Sequence, residues 1–314
     1  MKFICRQIKK SCRFYTFMDI NGHPIFILLF ILNSFFTVYA QENKKDETNK
    51  KPVKKIFEGS RLINFETIES LQKKGLQFII QHRFGRMDEG FEKGKNFDLF
   101  GILGVANIRL GINYGITDKL TIGLGATKYN YLYDLQWKYL ILQQTQGNGS
   151  PISASYFGNT SIATFSNESL EIVNRVSYYH QLLIARKINK RLSLQIAPTF
   201  TYFNLIDTTG GNRVKHSNFG IGFGGRQNVS PQGSIIFEYN QPITVSDYGS
   251  LGKTKASMGI GYEIATRGHA FQFFITNGNF IINQYDMISN TNDVTKGEFF
   301  IGFNITRNWN LKSG

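Results

Sequence analysis

Between Val105 and Lys128 apolar and polar residues alternate with a period of two, and only an extended strand turns that pattern into two distinct faces. Ala106, Ile108, Leu110, Ile112 and Tyr114 interleave with Asn107, Arg109, Gly111 and Asn113. After a short connection, Leu120, Ile122, Leu124 and Ala126 interleave with Thr121, Gly123, Gly125 and Thr127. The stretch predicts a β-hairpin with one apolar face and one face that is polar or bare glycine. The alternation returns downstream. Leu192, Leu194, Ile196, Phe200 and Tyr202 face away from Ser193, Gln195, Ala197, Thr199 and Thr201. Phe219, Ile221 and Phe223 oppose Gly220, Gly222 and Gly224, and Met258, Ile260 and Tyr262 oppose Gly259, Gly261 and Glu263.

The make-up of the polar face decides which solvent each face meets. A soluble lipocalin-like barrel turns its apolar face inward and dresses its outside with charge. Here the polar face is mostly Gly, Ser, Thr, Asn and Gln, which suits a crowded, wet lumen and leaves the apolar face to lipid. Glycine within a strand marks tight curvature or the close approach of another group. Twelve strands are predicted, at 76–84, 105–114, 120–128, 131–142, 152–164, 175–187, 192–203, 218–228, 234–240, 256–264, 269–276 and 298–306. Most are near the 9–11 residues that a tilted membrane strand needs. Those at 131–142, 152–164 and 175–187 alternate less cleanly. The connections 115–119, 188–191, 229–233 and 265–268 are tight; 85–104, 165–174, 204–217, 241–255 and 277–297 are long. Tight turns on one rim and long loops on the other characterise outer-membrane barrels. Two connections break the alternation: 129–130 is too short and 143–151 too long. Tyr114, Tyr129, Tyr131, Tyr202, Tyr239, Tyr262 and Trp309 fall near strand ends, as interfacial girdles do.

Residues 1–40 read as a cleaved signal peptide. Lys2, Arg6, Lys9, Lys10 and Arg13 precede an apolar run from Ile25 to Phe36, and Val38 and Ala40 give small residues before Gln41. The run is shorter than the roughly 20 residues of a spanning helix. Both cysteines, Cys5 and Cys12, lie inside residues 1–40. The mature chain therefore has no disulfide, thiolate metal site or cysteine nucleophile. Residues 41–55 are charge-rich and predicted to be a disordered tether. Residues 56–74 read as a lead-in to the barrel or a plug for it, with a turn at 57–60, an extended stretch at 61–67 and a short helix at 66–74. The barrel then covers 75–314.

The net charge is +14, and loss of residues 1–40 removes five Lys or Arg and Asp19, leaving +10. That excess is spread over the tether, turns and loops. Without a basic helix or an aromatic-basic motif it argues against nucleic acid and for anionic outer-membrane lipid as the neighbour.

Several strings carry a resemblance: His82-Arg83-Phe84-Gly85, the hairpin from Asn107 to Leu120, Lys138-Tyr139 with Gln143, Gly268 to Gln272, and Gly302 to Ile305 followed by Arg307 and Trp309. Together, over about residues 58–311, the chain resembles a family of outer-membrane β-barrels found mostly in Bacteroidota and defined as a domain of unknown function. The resemblance implies the fold and the outer membrane as compartment. It supplies no activity.

Candidate chemistry is sparse. His216 and Ser217 are adjacent, so in a strand they point to opposite faces and make a poor base–nucleophile pair. His82, His180 and His269 lie in separate strands with no second ligand at metal spacing. Gly220–Gly225 has no following helix to complete a phosphate loop. No cofactor or enzymatic activity is expected. Arg109, Asp134, Lys138, Arg226, Glu238 and Glu263 are predicted to line the lumen, as a charged constriction for solutes or as a salt-bridge network closing it. The loop 277–297, with Phe280, Ile281, Ile282, Tyr285 and Met287, is apolar enough to contact a partner or to fold inward. The expectation is a small porin-like channel or solute transporter. The alternatives are a closed barrel docking periplasmic or surface proteins, and a lipid-acting barrel enzyme.

Overall fold

In a computed structural model, residues 51–88, 98–147, 149–164, 171–206, 208 and 211–311 are described. The predicted signal peptide and the first ten residues of the tether, 41–50, lie outside them. Twelve strands form a closed, all-antiparallel barrel. They are β1 (Gly75–Arg86), β2 (Asn107–Gly115), β3 (Leu120–Thr127), β4 (Leu132–Leu142), β5 (Ser153–Ala163), β6 (Val176–Lys187), β7 (Leu192–Phe203), β8 (Ser217–Asn228), β9 (Gly233–Pro242), β10 (Ser257–Ala265), β11 (His269–Thr276) and β12 (Phe300–Asn310). The ring closes where β1 pairs β12, from Gly75 opposite Asn310 to Arg83 opposite Gly302. The last strand thus runs four residues beyond its predicted end at Thr306, because Arg307, Asn308, Trp309 and Asn310 pair with Phe78, Gln77, Leu76 and Gly75 at the start of β1.

The faces are those of a membrane barrel. On β2, Leu110 and Ile112 are 47% and 54% exposed while Arg109 between its neighbours is 1% exposed. On β3, Leu124 is 65% exposed. Every other residue of a strand points the same way, so a chain that hides Arg and shows Leu along the same strands has exchanged the usual solvents of its two faces. Tyr262 and Trp309 stand exposed toward the rim of tight turns, and Tyr131 and Tyr202 toward the opposite rim. Tyr129 departs from the expected girdle. Its ring packs edge-on against Phe280 and Tyr285, with centroids 5.0 and 5.8 Å away.

The two irregular connections have local causes. The β3–β4 link is one short helical turn, Tyr129–Tyr131, with Asn130 and Tyr131 at φ 52° and 46°. This left-handed pair reverses the chain in the space of a turn. The long β4–β5 connection is a pairing surface for the N-terminal segment. Val53 N–H donates to Gln144 O at 2.8 Å, Gln146 N–H donates to Lys51 O at 2.9 Å, and Pro52 bridges Thr145. Of the expected tether 41–55, residues 51–55 are therefore held to the rim by these bonds.

Arginine placed at Leu124, in the middle of β3 on the apolar face, is expected to cost about 2–4 kcal/mol if that position lies near the bilayer midplane. Reversible denaturant unfolding in phosphatidylcholine vesicles measures it, and an unchanged midpoint for Leu124→Arg would reverse the assignment of faces.

Candidate functional site

The lumen is filled. Residues 56–74 enter it from the rim of tight turns and leave by the same rim into β1. The contacts run from Ser193 Oγ, which donates to Ile56 O at 2.6 Å, to Lys74 N–H, which donates to Gly115 O at 2.8 Å. The middle of the segment is a small hairpin. Thr67 N–H bonds Ser60 O, Arg61 bridges Glu66, and Leu62 N–H bonds Phe65 O, with Ile63 and Asn64 at the tip. The short helix expected at 66–74 does not form. Its amides are taken by side chains instead: Ile68 N–H by Gln195 Oε1 at 3.1 Å, Glu69 N–H by Thr67 Oγ1 at 3.3 Å, and Leu71 N–H by Thr121 Oγ1 at 2.9 Å.

The tip sits in a socket built from one carboxylate and several glycines. Glu238 Oε2 accepts three successive backbone N–H groups, from Ile63, Asn64 and Phe65, at 3.0, 2.8 and 2.9 Å. Its register partners on the neighbouring strands are Gly224 and Gly259. A Cβ at Gly224 would lie 2.5 Å from Leu62 Cδ1, one at Gly259 would lie 2.8 Å from Ile63 Cδ1, and one at Gly222 would lie 2.5 Å from the Phe65 ring. These glycines are absent side chains whose volume the hairpin occupies. Arg83 closes the socket: its Nη2 donates to Ile63 O at 3.3 Å, its Nη1 to Asn304 at 3.2 Å, and its guanidinium lies 4.4 Å from the Phe274 ring centroid.

Below the tip, Ile56, Phe57, Leu62, Ile63, Phe65 and Ile68 pack with inward-facing Phe157, Tyr179, Leu183, Ile236 and Phe274 in one buried apolar cluster. The interior is thus partly dry, in contrast to the uniformly wet lumen expected from the glycine-rich strands. Burial of each such side chain contributes roughly 1.5–3 kcal/mol before ordering costs.

The six charged residues expected to line the lumen are all buried, and they divide into two pairs within the wall and two residues that face the segment. Arg109 and Asp134 form a wall pair, with Nε to Oδ1 at 2.9 Å and Nη2 to Oδ2 at 2.6 Å. Gly125, opposite Asp134 on β3, leaves the guanidinium room to cross. Arg226 reaches over β9 to Glu263 at 2.7 Å, and Gln272 donates to the other oxygen of Glu263 at 2.8 Å. Glu238, on the strand between, takes no part in that pair and faces the hairpin. Lys138 also turns to the segment. Its ammonium lies 2.7 Å from Glu66, which pairs in turn with Arg61 at 2.5 Å, and it donates to the carbonyls of Ser60 and Glu69. Glu69 accepts the N–H groups of Ile56 and Phe57, and burial pushes its carboxyl up. Beside Lys138 a cavity of about 20 Å³, lined by Ser60, Glu66, Glu69 and Gln136, has room for one water.

A second element enters from the opposite rim. The β11–β12 loop folds inward with a short helix, α1 (Asn283–Ser289), whose Asn283, Gln284, Asp286, Met287 and Ile288 are buried. Gln284 Nε2 donates to Asn159 and Ser161 of β5 at 3.0 and 2.8 Å. The two inserted elements meet. Asn64 Nδ2 donates to Phe280 O at 3.0 Å, and Asn283 Nδ2 donates to Asn64 O at 3.2 Å. Asp286 accepts from Ser257 Oγ at 2.7 Å. Burial pushes its carboxyl up to about 6, against the opposing pull of Ser257, Asn64 and Arg83.

The histidines make local contacts. His216 Nδ1 lies 2.6 Å from Phe203 O. His82 stacks on Phe303, His180 meets the Tyr156 hydroxyl at 2.5 Å, and His269 contacts Arg307. Residues that matter most to the filled lumen, Leu62, Ile63, Phe65 and Glu66, were not singled out by sequence. Their signal was an apolar Leu-Ile-Asn-Phe run set in a polar lead-in, facing a strand with glycine at every second position.

The family model for a membrane-bound β-barrel domain, DUF5777, matches residues 57–309. The chain belongs to this family. Its match begins at Phe57, so it takes in the lumen segment as well as the barrel. The family is one of membrane-bound β-barrels, and the apolar outer band of this barrel is the face that such a protein turns to lipid. The chain is similar in fold to the COG4313 outer membrane channel from Pseudomonas putida F1, with a TM-score of 0.49, 11% identity, and coverage of 77% of this chain and 98% of that one. It is similar also to the NanC porin, with TM-score 0.46, 8% identity and coverage of 75% and 100%. The outer membrane protein OmpT of Vibrio cholerae follows at 0.35, 9%, 76% and 99%. No curated protein matches the sequence.

Glu238→Ala strands three buried N–H groups, each worth about 1–3 kcal/mol when left unpaired. Protease cleavage within 56–68 of the folded barrel is expected to rise sharply in that variant and much less in Glu238→Gln, which keeps an acceptor oxygen. Docking of the β11–β12 loop has the opposite pH sense from a normal carboxylate contact. The raised Asp286 makes it tightest below the free value of 3.8 and weaker as pH rises through about 6. Loop proteolysis at pH 5 and pH 8 should differ accordingly, and Asp286→Asn should abolish the difference.

Proposed function

We propose that this protein is a gated conduit for small solutes across the outer membrane, closed at rest by its own N-terminal hairpin and by the inward β11–β12 loop. The observation that carries the proposal is the path of the hairpin. Both its arms leave by the rim of tight turns, which in outer-membrane barrels faces the periplasm, so a pull on the chain before residue 56 can peel it away without threading any residue through the barrel. Behind it stands a wall of Gln, Asn, Ser and paired charge, including Arg109 with Asp134 and Arg226 with Glu263. Such a wall would serve as a hydrophilic, charge-selective passage once vacated. The wall residues are inaccessible to water in the closed form, which argues against a permanently open pore.

The apolar cluster between the hairpin and Phe157, Tyr179, Leu183 and Ile236 favours a second reading, a permanently closed barrel that serves as a docking scaffold. Planar-bilayer recordings separate the two. Full-length protein is expected to be silent or to open rarely, and a variant lacking both residues 56–68 and the inward loop residues 280–290 to conduct steadily, with Arg226→Glu shifting its ion selectivity. A deletion variant that inserts, keeps its strand signature and stays silent would overturn the conduit.

A further inference from the structure

The rim of tight turns holds a cleft of about 700 Å³ apart from the hairpin's socket. Three pieces of chain build it: residues 51–55, the β4–β5 connection and the end of β6 with its following turn. Among the described residues its lining includes Lys51, Lys54, Lys55, Lys187 and Lys190 and no acidic residue. The floor is fixed by buried Gln144, which donates to Lys187 O at 3.2 Å and accepts from Lys187 N–H at 2.8 Å. Lys187 Nζ donates to Lys55 O at 3.0 Å, which draws its ammonium to the backbone of a second lysine. Of the five, Lys55 pairs with Glu58 at 3.2 Å, in an exposed pair that water screens.

The like charges of five lysines that line one concave cleft repel one another, and the concave wall focuses their field. A compact, multiply charged anion relieves that repulsion, and lysine serves as a point-charge donor to phosphate oxygens. We infer that this cleft binds a phosphate-bearing polyanion at the periplasmic face. Lys51, Lys54 and Lys55 stand on the incoming arm and Lys187 and Lys190 on the barrel, so the ligand ties one to the other. The inference rests on the cleft alone and stands whether or not the lumen opens.

Titration calorimetry of the full-length mature protein in neutral detergent, with tripolyphosphate as probe at low salt, tests it. Saturable binding is expected, about tenfold weaker in Lys51→Gln/Lys54→Gln/Lys190→Gln, three charge contacts being worth that factor together. Lys119→Gln/Arg267→Gln, on the same rim outside the cleft, should leave it unchanged. Absence of saturable binding, or an equal loss in both variants, would overturn the site. Vesicles containing phosphatidylglycerol, set against phosphatidylcholine alone, identify the source of the phosphate. Displacement of the probe by the former assigns a lipid headgroup, and its retention assigns a soluble polyphosphate; both uphold the cleft.

Discussion

Backbone hydrogen bonding in hydrocarbon is the constraint from which the rest of this structure follows. No water is available there to satisfy a free N–H or C=O, so a strand can cross only if both its edges are paired. The pairing of Gly75–Arg83 with Gly302–Asn310 removes the last two edges. Closure then fixes the faces: the outer residues must be apolar and the inner ones inherit everything polar. That inheritance creates a second problem inside. Twelve strands enclose little free space once side chains are counted, and polar groups packed there need partners as much as the backbone does.

The interior meets that need with protein. Glu238, Gln195, Thr121 and Ser193 take or give hydrogen bonds that in a wet pore would go to water. The charges are handled in the same way. Arg109 with Asp134 and Arg226 with Glu263 are closed pairs in the wall, and removal of one member of such a buried pair typically costs 3–5 kcal/mol. Lys138 and Glu238 instead direct their charge at the segment. The wall is therefore self-sufficient in two places and dependent on the hairpin in two others.

Much of the barrel was legible in the sequence because strand periodicity is a local signal. All twelve strands were placed, most within two residues at either end, and the opposition of Leu110 and Ile112 to Arg109 gave the correct faces. The strands β4, β5 and β6 read less cleanly for a physical reason. On β4 the register shifts between Leu140 and Leu142, and the inner faces of β5 and β6 carry Phe157, Tyr179 and Leu183, apolar residues that pack on the hairpin, so the alternation blurs. The candidate site was half legible. The inward charges were found by parity, but which of them pair across the wall depends on register and on strand neighbours. Gly222, Gly224 and Gly259 signalled a close approach without naming what approaches. The ligand of that socket is Leu62, Ile63 and Phe65, more than 150 positions earlier in the chain, a relation no local pattern encodes.

The path of the hairpin bears on the order in which the molecule can assemble. A segment that entered one rim and left by the other would have to be present before the ring closed, as a thread is present before a bead is moulded round it. Here both arms return to the side from which they came, just ahead of β1. The twelve strands can therefore complete their ring first, in the membrane, with residues 56–74 still outside. Insertion of the tip against Glu238 becomes a late, separable event, and a barrel lacking it is a topologically complete object.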